Sequence, residues 1–132
     1  MQMVVQPERW ADPVAELLAS ATDALHRAEW AGSAALRYEL AYLAALRSGA
    51  AVLARRAQPS SLRTKPQGLW ALLAATAPEL AEWSQYFTVC GARSAALQEG
   101  RAAVSVRQAD DLVRDAAAFA EIAARSVARV PR

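Results

Sequence analysis

The stretch from Ser33 to Ala57, SAALRYELAYLAALRSGAAVLARRA, constrains this chain more than any other. Leu36, Leu40, Leu43, Leu46, Ala50, Leu53 and Ala57 recur at steps of three or four, so on a helix they line one face. Most other sites in the stretch are alanine, which has the highest helix propensity and a short side chain. Neighbouring helices can therefore approach it closely on several sides, and it belongs in the middle of a bundle. Ser33, after Gly32, is an N-cap type. Pro59 cannot continue the helix. Arg55 and Arg56 suit the negative end of the helix dipole.

The remaining segments read as helices that pack around it. Asp12 followed by Pro13 predicts a capped helix to about Ala28, with Val14, Leu17, Leu18, Ala21 and Leu25 on its apolar face. The short turn over 29–32 makes the first two helices antiparallel neighbours. A capping box, Thr64 with Gln67, opens a short apolar helix around Trp70 and Leu73. A second box, Thr76 with Glu79, opens a helix lined by Leu80, Trp83, Phe87, Cys90 and Leu97 that ends near Gly100. A third, Ser105 with Gln108, starts the last helix. Its stripe is Ala109, Leu112, Val113, Ala116, Phe119, Ala120, Ala123 and Val127. On its outer face Arg107 with Asp111, Asp110 with Arg114, and Glu121 with Arg125 have i,i+4 spacing. The expectation is an all-α, up-and-down helical bundle of four long helices and one short one. Residues 1–11 form an N-terminal arm, pinned by Trp10, and 12–132 a single domain.

At 132 residues the chain buries roughly two-thirds of its unfolded surface without a metal or disulfide. Its one cysteine, Cys90, permits no internal disulfide, which suits a reducing, cytoplasmic location. On its apolar stripe Cys90 reads as a buried structural thiol. The N-terminus lacks the basic-then-apolar pattern of a signal peptide. The longest uncharged run, 66–78, is 13 residues, too short for a bilayer span of about 20.

The net charge of +2 is too small to mark the whole chain as a nucleic-acid binder. Fourteen of the fifteen cations are arginine, a skew that matches GC-rich coding bias and also suits bidentate phosphate binding. With one cysteine and one histidine, Cys/His metal sites are excluded, and no Glu-x-x-His pair or glycine-rich phosphate loop is present. No cofactor is expected. His26 has Thr22 and Asp23 one turn before it, the spacing of an ordinary exposed helix terminus.

Two constellations carry the functional reading. Arg37 and Tyr42 lie on the central helix but roughly 140° apart around it, so they need a third group or a second subunit to converge. Arg55, Arg56, Arg63 and Lys65 surround the loop after that helix. If the loop folds back they crowd within one Debye length, about 8–10 Å, and form a site for phosphate or an acidic partner.

Three segments, RYELAYLAALRSGAAVLARRA at 37–57, LWALLAATAPELAEWSQYF at 69–87 and VSVRQADDLVRDAAAFAEIA at 104–123, cover about half the chain and resemble HEPN (higher-eukaryote and prokaryote nucleotide-binding) domains. More narrowly, they are similar to a compact stand-alone actinobacterial branch. The resemblance implies a helical bundle that often dimerises, and a family in which many members are metal-independent ribonucleases of toxin–antitoxin, antiphage and stress systems. Their signature is Arg, four to six residues, then His. This chain departs from it: Ala19, Ser20 and Ala21 stand where the Arg before His26 belongs, and Tyr42 stands where the His after Arg37 belongs. Tyrosine, with a pKa near 10, is a poor base at neutral pH. The expectation is a catalytically degenerate member that binds RNA, a nucleotide or a protein partner as a homodimer. The alternatives are an atypical ribonuclease using Arg37 and Tyr42 across a dimer, or a purely protein-binding helical adaptor.

Overall fold

Asp12 and Pro13 open the first helix as their residue types require. In the computed structural model, which describes residues 12–56 and 66–129, Asp12 Oδ1 accepts from Val14 N at 3.0 Å and Pro13 occupies the first helical position. The helices are α1 (Pro13–Glu29), α2 (Ala34–Arg56), α3 (Pro66–Thr76), α4 (Ala81–Gln98) and α5 (Val106–Arg129), with a 3-10 turn at Pro78–Leu80. No strand occurs among the described residues. The arm with Trp10, Thr64 of the Thr64–Gln67 capping box, Ala57, Arg63 and Lys65 lie outside them.

Ser33 caps α2, its Oγ accepting from Leu36 N at 3.1 Å. The box at α5 forms reciprocally: Ser105 N donates to Gln108 Oε1 at 2.9 Å, and Gln108 N to Ser105 Oγ at 3.0 Å. Gly100, at φ 72°, ends α4: its N–H reaches Leu97 O and that of Arg101 reaches Ala96 O, a Schellman closure. The Thr76–Glu79 box does not form. Thr76 stays inside α3, Ala77 N bonds Leu73 O at 2.7 Å, and the 3-10 turn begins at Pro78 without a side-chain cap. Thr76 is thus the last residue of α3 and not a cap, and Glu79 pairs instead with Arg56 at 2.6 Å.

The middle position of α2 holds. It packs most extensively on α1 and α5, and also meets α3 and α4. Its buried face differs from the leucine stripe, however. Tyr38, Ala41, Tyr42, Ala44, Ala45, Ser48, Gly49, Ala51 and Val52 are buried with Leu40 and Leu53. Leu36 is 47% exposed, while Leu43, Leu46 and Ala50 are half-buried. The smallest side chains occupy the deepest sites because α1 and α5 press closest there. The leucine ridge turns instead toward α4.

Aromatic rings hold α4 in place. Phe87 lies with its ring centroid 5.0 Å from that of Phe119 on α5 and 5.1 Å from that of Trp70 on α3, and Trp83 lies 5.4 Å from Phe119. Such rings bury about 150–250 Å² each, so this cluster dominates the apolar core on that side. Two of the three i,i+4 ion pairs expected on α5 are replaced. Asp110 pairs with Arg37 on α2, and Arg114 with Asp111 and Asp115; Glu121 and Arg125 approach at 4.0 Å.

Candidate functional site

Between the leucine ridge of α2 and the facing side of α4 lies a groove of about 690 Å³. Leu36, Leu40, Leu43 and Leu46 form one wall; Gly91, Ala92 and Ala95 on α4 form the other. Tyr42 and Trp70 form its floor. The groove exists because bulky rings fill the interior side of α4 while its groove side is nearly bare. Gly91 is required there: a Cβ would overlap the Tyr42 hydroxyl. That hydroxyl accepts a 2.9 Å hydrogen bond from Trp70 Nε1, which fixes both rings. The size falls in the range of ligand sites, about 300–1,000 Å³.

Among the described residues, one charged side chain lines the groove. Glu39 sits near the α2 N-terminus, where its Oε1 accepts from Gln98 Nε2 at 3.2 Å across the opening. Among the described residues no cation pairs with it. The spacing of the leucines was legible in the sequence. That they face an open groove was not, because it depends on how far α4 stands away.

The structure separates Arg37 from Tyr42. Arg37 Nε donates to Ala28 O at 3.1 Å, and its Nη1 to Asp110 Oδ1 at 2.8 Å. It ties the end of α1 and the start of α5 to α2, where a cation also suits the α1 dipole. Tyr42 is 8% exposed, and burial raises its phenol pKa further above neutrality. His26 is exposed on α1.

Arg55 and Arg56 do share the C-terminal end of α2, and both have acidic partners within the chain. Arg55 lies 3.7 Å from Asp12, the α1 cap. Arg56 pairs with Glu79 and donates to the buried Ser126 Oγ at 2.6 Å. Sequence reasoning missed Ser126 and Ser48, whose small polar side chains resemble surface residues in composition but are fully enclosed here. Ser48 answers its burial by donating to Ala44 O at 2.9 Å. Cys90 is buried, and burial pushes its thiol pKa up, as befits a structural cysteine. Among the described residues no cluster of His, Cys, Asp and Glu has the makings of a metal site, and no helix is long and apolar enough to cross a membrane.

These features define a small all-α bundle with an apolar interhelical groove and, among the described residues, without an assembled Arg–His pair. The SAV_6107-like HEPN family matches residues 28–124, most of the chain, and the protein belongs to that family. Neither the curated proteins nor the solved structures gave a match.

Proposed function

We propose that this HEPN domain works by binding, not by cleaving RNA, and that the α2–α4 groove is its binding face. The observation that carries the reading is the groove itself: a preformed apolar trough whose floor is fixed by the Tyr42–Trp70 hydrogen bond. The residues offered for catalysis are committed elsewhere. Arg37 holds Ala28 and Asp110, and Tyr42 is buried with a raised pKa. Of the three ligand classes weighed from the sequence, RNA, nucleotide and protein, the lining favours protein. An apolar trough bearing a carboxylate repels phosphate, and Arg55 and Arg56 are already neutralised by Asp12 and Glu79. The expected setting is a cytoplasmic homodimer in a stress, defence or toxin–antitoxin system.

The test combines cleavage and binding of a labelled single-stranded RNA, with EDTA present, from low to moderate salt. Intact RNA and no salt-sensitive rise in anisotropy are expected. Cleavage abolished by Arg37→Ala in a folded variant would restore the nuclease reading. RNA binding whose salt slope falls in Arg55→Ala/Arg56→Ala would move the function to the basic end of α2.

A further inference from the structure

We infer that the groove receives one amphipathic helix of a different protein, with an Arg or Lys placed to meet Glu39. The inference rests on the binding reading above and names its partner class. The walls span ten residue steps on each helix, Leu36 to Leu46 and Thr88 to Gln98. At 1.5 Å per residue that is about 15 Å, or about three turns of a docked helix. Leu36, Leu40, Leu43 and Leu46 advance by four, three and three residues, the ridge against which a second helix seats apolar side chains at i, i+3 or i+4, and i+7. The ridge lacks a full cover: Leu36 is 47% exposed. Opposite it, the small Ala92 and Ala95 leave depth for the incoming side chains.

Charge selects among occupants. Among the described residues Glu39 has only the Gln98 amide as a partner, and no cation lines the groove. An apolar helix arriving without a cation would strip water from this carboxylate and return nothing, which is unfavourable. A second copy presenting the same groove would oppose one concave face to another, and the described lining would bring no cation. A convex helix with a basic residue near the α2 N-terminal end of the groove satisfies both shape and charge.

The probe is a fluorescein-labelled, Ala-based helical peptide of about four turns, with leucines at i, i+4, i+7 and i+11 and one arginine a turn beyond. Its anisotropy is measured against the full chain. Saturable binding is expected. Ala95→Trp, at an exposed position that fills the groove, should weaken it by about tenfold or more, and Glu39→Lys by about tenfold. Replacing the peptide arginine by glutamate should restore binding to Glu39→Lys while weakening it to the wild type. Far-UV circular dichroism and Tm confirm that both variants fold.

Absence of peptide binding overturns the inference, as does binding that is indifferent to Ala95→Trp or to the charge exchange. Saturable, Ala95→Trp-sensitive binding of dodecylamine without peptide binding assigns the groove to a small amphiphile and also overturns it. So does a wild-type dimer that Ala95→Trp converts to monomer, which assigns the groove to a second copy. Intact RNA alongside a failed peptide leaves the binding reading standing, whereas RNA cleavage sinks that reading whatever the peptide does.

Discussion

The two sides of α2 solve the same packing problem with opposite residue types. Where α1, α2 and α5 meet, the enclosed positions are mostly small: Ala21, Ala24, Ala44, Ala45, Ser48, Ala116 and Ala123 are each at most 1% exposed. Where α3 and α4 join the bundle, the enclosed residues are Trp70, Leu73 and Phe87, packed with Phe119 and Trp83. Small side chains let helix axes close together and leave no room between them. Rings fill as much volume but hold α4 away, and where the ring layer ends, over Gly91, Ala92 and Ala95, a groove remains. The groove is thus a by-product of uneven side-chain size across one bundle.

The sharpest way to break this contrast is Phe87→Ala. Removing a fully buried ring from the centre of the cluster should cost about 3–5 kcal/mol in urea unfolding. A loss no larger than that of an ordinary surface substitution would show that α4 does not rest on the rings. On the other side the vulnerable change is enlargement. Ala45→Leu should cost about 1–3 kcal/mol through overpacking between closely set helices, and an unchanged denaturation midpoint would reveal slack there. At the boundary between the two sides, Gly91→Ala must displace Tyr42 and with it the acceptor for Trp70 Nε1. A loss of about 1–3 kcal/mol is expected from the unsatisfied indole N–H. Tyr42→Phe removes the same acceptor, so the double variant should lose less than the sum of the single ones. Strict additivity would separate Gly91 from the Tyr42–Trp70 pair.

The contrast also marks what the sequence can express. Helix starts are local chemistry, and Asp12–Pro13, Ser33 and Ser105–Gln108 all act as their types demand. The HEPN resemblance held, because order and spacing of apolar helices survive in a linear pattern. The leucine stripe of α2 was legible as a face but not as an open one. Periodicity says which residues share a side, whereas burial depends on how near the next helix comes, and that is set by Phe87, Phe119 and Trp70 far along the chain. The same limit governs the ions. Arg37 and Arg56 looked available because their partners, Asp110 and Glu79, are distant in sequence.

The smallest expected effect tests the tie between the two sides. Arg56, on α2, reaches Glu79 on the turn before α4 and Ser126 on α5. The hydrogen bond from Arg56 holds the Glu79 carboxyl below its ordinary pKa. A carboxylate with a depressed folded-state pKa stabilises the fold above the unfolded value, and that stability is lost as pH falls through the folded one. Glu79 is half exposed, so after solvent screening the contribution is below about 1 kcal/mol. Wild type should therefore exceed Glu79→Gln slightly near neutral pH, and the gap should close in acid below the usual glutamate range. A gap that persists unchanged into acid would mean that the link between α2 and the α4 entry is one of shape, not of charge.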